Sequence, residues 1–465
     1  MIRFMPQRGR ATGRERAEPR SPLFLPLAVV LSVWQIFGGA APESILLFFM
    51  LGLSGSILLA LVVSPWGAGT WRTLSGPARL MVLFFCLMPL LQLVPLPPAL
   101  WQALPGRSLA VQTLTAAGVA GEWRPLTMAF GPTFRTALVF LWLAALLLAA
   151  LQLSSRELRR IFMLLLAFGL LNVAIGVVQV VSNSTMLIFY PGFAGRFLTG
   201  LFANKNHTGL FIAMTFLFGY AALYGRQGWE RRGITLVVPL GLVLLIALLA
   251  TFSRAGLVFG VAAIAFLVVL SSGHRLRKGM RWLLIAAPLG LAGLFAIVSS
   301  TDLASRTMSR FENVGEDLRW SIWEWSWPLV VQYFPVGSGI GSFTLIYPSH
   351  EQLDWVMPVY VNHVHNDYLE QLIEVGIAAP ISWALILFAL WRPVRTAWAE
   401  RGTQSGRLAL VGAAALFLIA VHSAFDYPLR RPAIAAVAMV ALASVLRIED
   451  RRRLRAAKGH ATRET

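Results

Sequence analysis

The sequence predicts an all-α polytopic membrane protein with about twelve transmembrane helices and a large outer loop that contains short amphipathic helices. Three observations lead there: the apolar excess, the length of the apolar runs and the distribution of basic residues. Of 465 residues, 57% are hydrophobic. Counting the 39 glycines raises this to roughly 65%, against about 45–50% in soluble domains on the same count. Charged residues are 13%, about half the usual quarter. A soluble chain of this length needs far more polar surface, so a water-soluble globular fold is excluded. The single cysteine, Cys86, rules out an intrachain disulfide and a cysteine-built metal site.

Apolar runs of about 17–25 residues mark the spans. They fall at 22–41, 44–63, 79–98, 134–152, 160–182, 207–224, 233–251, 254–271, 282–299, 367–391, 408–425 and 430–447. The Arg-rich first twenty residues lead into a full-length apolar segment without a small-residue cleavage site, so the first helix is expected to be retained. The chain then divides into a basic N-terminal segment 1–21, helices one to nine over 22–299, the large loop 300–366, helices ten to twelve over 367–447, and a basic tail 448–465. Three connections are long, 99–133, 183–206 and 300–366, and only the last is expected to hold an ordered extramembrane element.

The net charge of +19 would suggest nucleic acid in a soluble protein. Here topology accounts for it. With both termini inside, every inner loop is basic. Eleven of the 40 Lys and Arg residues remain outside: Arg107, Arg124, Arg135, Arg196, Lys205, Arg254, Arg306, Arg310, Arg319, Arg430 and Arg431. All three long loops lie on that outer side. No nucleic-acid partner is expected, and the outer arginines are the informative exceptions.

Arg254 follows Ser253 in a hairpin between two spans. Ser253 can cap the next helix and leave Arg254 in its first turn, where a helix N-terminus and a guanidinium suit a phosphate. Snorkelling of Arg254 to the outer headgroups is the competing reading. Arg196 stands just before the Leu201-Phe-Ala-Asn204-Lys-Asn206-His207 stretch. In the large loop, Trp320, Trp323 and Trp327 share a helix face and read as an interfacial anchor. Arg319 beside them is the better candidate for a phosphate. Gly337-Ser-Gly-Ile-Gly-Ser342 is no dinucleotide fingerprint, and reads as a turn that lets backbone approach something closely.

The richest stretch is His363-Val-His-Asn-Asp-Tyr-Leu-Glu-Gln-Leu-Ile-Glu-Val-Gly376. Asp367 and Glu370 have capping-box spacing, so a helix is expected to start at Asp367. His365 then precedes a helix N-terminus, which favours a neutral imidazole able to accept a proton. Asp367, Glu370 and Glu374 share one face, and near a bilayer three carboxylates call for outer arginines as partners. Gly376 and Pro380 suggest a break between a short surface helix and the true span. His363 and His365 also have strand spacing for a metal pair, and Asp367 and His350 keep that reading open. Beyond them, the span ending in His422-Ser-Ala-Phe-Asp426 adds another His and carboxylate to the same outer face, and the local alternative is that Asp426 pairs with Arg430 at i+4.

These residues resemble the O-antigen ligase and O-antigen polymerase superfamily of bacterial inner-membrane glycosyltransferases. The resemblance rests on His365-Asn366 followed nine residues later by Gly376, on Ser253-Arg254-Ala-Gly256, on Gly200-Leu-Phe-Ala-Asn204-Lys-Asn206-His207, on Gly337-Ser-Gly339-Ile-Gly341-Ser-Phe343 and on Asp426-Tyr-Pro428. It runs from about 165 to 445. It implies transfer of a glycan from an undecaprenyl-diphosphate carrier to a periplasmic acceptor, with no cofactor and no essential metal. The acceptor would be lipid A-core, a growing glycan or a protein. The resemblance gives His365 the role of base or acceptor-orienting residue and Arg254, Arg319 and Arg196 the diphosphate. Asn366, Asp367, Glu370, Gly376, Asn204, Asn206 and Asp426 become supporting residues. A ligase fits the motif best. A polymerase joining lipid-linked repeats is the alternative, and a transporter or flippase is a weaker one because few charges lie at mid-span.

Overall fold

The computed structural model describes residues 21–40, 45–67, 69–190, 197–224, 229–271, 302–352 and 361–461. The side chains described exclude those of 45–47, 229–238, 302–317 and 450–461. The described residues are overwhelmingly helical. Chain order gives α1 (Phe24–Phe37), α2 (Ile45–Val63), α3 (Thr70–Thr73), α4 (Gly76–Gln92), α5 (Pro98–Ala103), α6 (Ser108–Ala116), α7 (Phe130–Leu151), α8 (Ser155–Val181) and α9 (Lys205–Leu223). It continues with α10 (Trp229–Ala250), α11 (Arg254–Ser271), α12 (Asp302–Tyr333), α13 (Phe343–Ile346), α14 (Asp367–Val375), α15 (Ala378–Ala399), α16 (Gln404–Ser423) and α17 (Pro432–Ala461). The sole sheet among them is a two-residue antiparallel pair, Pro95–Leu96 with Arg124–Pro125.

Five helices are long and apolar enough to cross a membrane: α7, α8, α11, α16 and the Pro432–Glu449 part of α17. A bent pair over Phe48–Val63 and Pro65–Thr73 makes a sixth if taken as one span. Phe24–Phe37, Gly76–Gln92 and Pro239–Ala250 are shorter apolar helices. The protein is thus an all-α, multi-pass membrane protein. The expected span 282–299 lies outside the described residues. The expected span 367–391 is two elements: Gly376 ends α14 at φ 55, and α15 starts afresh at Ala378. The sequence reading of a short helix ahead of the span holds.

Local chemistry sets the helix starts. Ser154 and Glu157 form a capping box on α8, and Glu157 Oε1 also accepts the Ser21 amide at 2.8 Å. Ser75 caps α4 and Thr403 caps α16. The large core joins α1, α2, α4, α7 to α11 and α15 to α17. Its centre is α17, where 83% of the apolar window is buried. Around it α1, α7, α15 and α16 pack.

A second, smaller core lies beside this bundle. Ile322, Leu329 and Tyr333 of α12 meet Phe343, Tyr347, Val364 and Ile373. Trp323 Nε1 donates to Val364 O at 2.9 Å. This core seats α12 and α14 against each other, and so fixes the loop carrying His365. The connection 99–133 is ordered too, contrary to expectation. Trp101 Nε1 donates to Glu122 O at 3.0 Å, Gln102 Nε2 to Ala120 O at 2.8 Å, and the two short strands close its base. Backbone carbonyls met by long-range donors order it, and such pairing leaves no local sequence pattern.

Helices α9 and α11 touch through glycines. A Cβ on Gly256 would stand 2.8 Å from the Gly209 Cα, the close approach that small residues permit between membrane helices. Gly256→Val is therefore expected to destabilise the fold by about 1–3 kcal/mol, the usual cost of overpacking. The thermal midpoint of the detergent-purified protein checks this; an unchanged midpoint would contradict the contact.

Candidate functional site

Asp426 sits in the turn between α16 and α17 and is 1% exposed. Seven groups converge on its carboxylate. The Tyr427 amide donates to Oδ1 at 3.0 Å. Asn206 Nδ2 and Asn204 Nδ2 donate to Oδ2 at 3.2 and 3.5 Å. Arg319 Nη2 lies 3.7 Å from that oxygen, and His422 Nε2 lies 3.9 Å from it. His207 Nε2 and His365 Nδ1 stand 3.5 and 3.6 Å from Oδ1. Burial works against ionisation of Asp426, but His207 and His365 outweigh it and hold the carboxyl well below the usual range.

Each partner is placed by its own backbone. Asn204 caps α9 by accepting the Asn206 amide at 2.8 Å, which turns its Nδ2 toward Asp426. Asn206 Oδ1 accepts the Ser253 hydroxyl at 2.9 Å. Ser253 Oγ in turn accepts the Gly256 amide at 3.0 Å, so it caps α11 as the sequence predicts. That puts exposed Arg254 at the first position of α11, joined to Asp426 through Ser253 and Asn206. His365 adopts φ 57, a left-handed conformation that costs a non-glycine residue roughly 1–2 kcal/mol. This strain aims Nδ1 at Asp426 and leaves Nε2 as the nitrogen available to a ligand. The His365 side chain is 24% exposed and that of Arg319 is 31% exposed.

The structure thus brings His365, Arg319, Asn204, Asn206 and Asp426 together. Arg196 lies outside the described residues, and Arg306 and Arg310 lie where side chains are not described. His207, His422 and Tyr427 complete the cluster; the sequence places His422 on the same face as Asp426, whereas His207 and Tyr427 enter it only as members of motifs. The Tyr427 ring packs 4.3 Å from His363, 4.9 Å from His365 and 5.4 Å from His207. Two signals were available: His207 ends the Asn204–Asn206 stretch, and His422 precedes Asp426 by one helical turn.

The i+4 pairing of Asp426 with Arg430 does not form. Arg430 instead meets Asp367 at 3.3 Å, Glu370 at 3.1 Å and Glu374 at 3.1 Å. This supplies the arginine partner that those three carboxylates call for. The cap of α14 is Asn366, not Asp367: Asn366 Oδ1 accepts the Tyr368 and Leu369 amides at 3.0 and 3.1 Å. Glu370, free of capping duty, accepts the Val364 amide at 3.0 Å and faces His363 Nδ1 at 2.9 Å. Burial opposes its charge, but Arg430 overrides this and brings Glu370 to about 2. Burial dominates for Asp367 and Glu374, which rise to about 7 against the pull of Arg430.

The close backbone approach expected of the Gly-rich turn is to α14. Gly341 N donates to Glu374 Oε1 at 2.8 Å and Gly339 N to Glu374 O at 2.9 Å, with Gly337, Gly339 and Gly341 all at positive φ. The metal reading around His363 dissolves as well. His363 faces Glu370, His365 faces Asp426, Asp367 faces Arg430, and His350 Nδ1 pairs with Ser349 Oγ at 2.9 Å. Three other groups could hold a cation, since ligand atoms of His207, His422 and Asp426 lie within 4.8 Å of one another. The Arg319 guanidinium 3.7 Å from the same carboxylate partly offsets its charge and works against a cation there.

An open groove of about 610 Å³ borders the cluster, lined by Trp320, Trp323, Glu324, Trp327, Asn366, Tyr368, Leu369 and Leu372. Its size is that of a ligand site, roughly 300–1,000 Å³. It lies between α12 and α14, and Asn366 connects it to His365.

The model of the O-Antigen ligase family matches residues 239–384. The match supports placement in the O-antigen ligase and polymerase superfamily. It contains Arg254, Arg319, His365, Asn366 and the three carboxylates of α14, whereas Asn204, Asn206 and Asp426 fall outside it. No curated protein matches the chain.

The three buried carboxylates give a pH signature. Between about pH 4 and 7 the folded protein keeps protons on Asp367 and Glu374 that the unfolded chain, titrating near 3.8 and 4.5, has lost. Stability contributed by these groups therefore falls as pH rises through that window. Glu374→Gln should flatten the fall of melting temperature with pH in detergent. An identical slope in wild type and variant would contradict this.

Proposed function

We propose that the chain is an O-antigen ligase-type glycosyltransferase working at the outer, periplasmic face of the inner membrane. The donor is a glycan on undecaprenyl diphosphate, and the acceptor is lipid A-core or a similar saccharide. The single observation carrying this reading is that one buried carboxylate, Asp426, engages both the candidate base His365 and the candidate phosphate ligand Arg319. The family match over 239–384 supports the same class. The remainder of the reading is twelve spans, both termini cytoplasmic, and the large loop outside.

In this reading the acceptor hydroxyl attacks the anomeric carbon of the donor sugar. Its proton passes to His365 Nε2 while Asp426 holds Nδ1 and stabilises the imidazolium. The bond from the anomeric carbon to the diphosphate oxygen breaks, and the leaving group departs with the electron pair. A diphosphate leaves readily without acid help, so the site chiefly needs cations. Arg319, Arg254 and Arg196 supply them. The groove of Trp320, Trp323 and Trp327 gives the acceptor its approach: indole faces suit the C–H faces of sugar rings, and Glu324 and Asn366 can take hydroxyl hydrogen bonds.

Loss of a general base costs about 10²–10⁴ in rate. His365→Ala in a cell that makes the carrier-linked glycan should abolish the acceptor-bound long chains on a gel while polymerised glycan stays on the carrier. Products of a single repeat would assign the polymerase role instead. An unchanged pattern would contradict a catalytic His365.

A further inference from the structure

Helix α12 carries a carboxylate in the middle of its aromatic face. Trp320, Trp323, Glu324 and Trp327 stand at i, i+3, i+4 and i+7, so they share one side of the helix. All four line the groove between α12 and α14, to which α14 adds Tyr368, Leu369, Leu372 and its cap Asn366. The aromatic walls are fixed from behind. Trp323 Nε1 donates to Val364 O at 2.9 Å, and the Tyr368 hydroxyl donates to Ala420 O at 2.8 Å. Trp320 meets Trp323 edge-on with ring centroids 4.8 Å apart, and Trp383 meets Tyr368 edge-on at 5.2 Å. Trp323 and Tyr368 thus commit their polar atoms to main-chain carbonyls and keep ring surface for the groove. Asn366 Oδ1 is taken by the Tyr368 and Leu369 amides, which leaves Nδ2 as its remaining hydrogen-bonding group. Glu324 is exposed, and it is the one charged residue among those that line the groove.

A carboxylate so placed argues against a lipid occupant. A hydrocarbon chain in the groove would strip water from Glu324 and give it no hydrogen bond in return. A helix anchored over anionic headgroups calls for Lys or Arg, not for Glu amid the indoles. The set suits a ring with a C–H face for the exposed indoles of Trp320 and Trp327 and a rim of hydroxyls for the acid. An ionised carboxylate only accepts hydrogen bonds, and its two oxygens can take two neighbouring hydroxyls. A ring bearing phosphate or carboxylate would meet like charge there instead. Charge also changes sign along α12. Arg319 lies five residues, about 7.5 Å of helix rise, before Glu324 and belongs to the Asp426 cluster. The cationic end of this stretch therefore faces the cluster, and the acidic end faces the groove.

We propose that the groove between α12 and α14 takes an uncharged sugar ring, stacked on the indoles and held through adjacent hydroxyls by Glu324, which turns away rings that carry phosphate or carboxylate. This rests on the proposed role of the groove as the acceptor's approach, and it gives the docking sugar of that acceptor a chemical class. Glu324 is a specificity-determining residue and touches no reacting atom.

The test is saturation-transfer NMR on the full-length protein in neutral-lipid nanodiscs, with maltotriose, mannotriose and trigalacturonate as probes. Wild type should bind a neutral trisaccharide and hold trigalacturonate about tenfold more weakly. Glu324→Lys, an exposed change that should elute as wild type does from a sizing column, should erase that preference by weakening the neutral probe and admitting the acidic one. Trp327→Ala should weaken the neutral probe and leave the preference in place. Equal affinity of wild type for neutral and acidic probes, or a preference that survives Glu324→Lys, would overturn the proposal. Absence of binding by both neutral probes would overturn it too; quenching of the Trp327 emission by dibrominated phosphatidylcholine, read as wild type minus Trp327→Phe, would then give the groove to a lipid chain. A charge preference that depends on Glu324, with glycan transfer in membranes unslowed by saturating neutral trisaccharide, would uphold the sugar site and overturn the acceptor reading alone.

Discussion

The site depends on a single buried carboxylate. Asp426 is nearly inaccessible, yet three histidines, two asparagines, an arginine and a backbone amide address its two oxygens. The amide and the two asparagines give it hydrogen bonds, while the histidines and Arg319 stand 3.5–3.9 Å away as electrostatic neighbours, which count for more in so dry a setting than in water. The contacts also tie together parts of the chain far apart in sequence. Asn206 and Asp426 are 220 residues apart, and α12 reaches the same oxygen through Arg319. The glycine contact of α9 with α11 and the small core under α12 and α14 hold these segments in register. Packing and chemistry meet at one group.

Charge around this carboxylate is divided between neighbours. One side has a surplus of acid: Arg430 faces three carboxylates, and two of them keep their protons up to about pH 7. That arrangement is structural, since it locks α14 to the turn after α16. The other side is basic: Arg319 meets the Asp426 carboxylate that His365 also faces, and Arg254 follows Ser253, which hydrogen-bonds Asn206 of the same cluster. The proposed anionic donor would meet the second side.

Much of this was legible in the sequence, and the rest was hidden for physical reasons. Hydropathy located the apolar helices among the described residues, five or six of them long enough to cross a membrane, because lipid exposure demands long apolar runs. His365, Arg319, Asn204, Asn206 and Asp426 were legible through local motifs, and Ser253 through its capping position. His422 was legible as a neighbour of Asp426 on the same face, but the place of His207 was not, because a histidine on an apolar helix carries no mark of what lies across the bundle. Local spacing misled at Arg430, where i+4 geometry pointed to Asp426 but burial favoured the three acids of α14. It misled again at Asp367, since Asn366 is the better cap and Asp367 is drawn inward by Arg430 and Ser423. The order within 99–133 rests on side chains reaching distant carbonyls, which no window of sequence displays.

The most direct measurement is a double-mutant cycle on glycan transfer in membranes, using Asp426→Asn, His365→Gln and the pair. If Asp426 acts by holding His365, the two losses overlap, and the double variant is no slower than the slower single variant. Losses that multiply would mean that the two residues act independently, and would contradict the shared carboxylate as the organising element of the site.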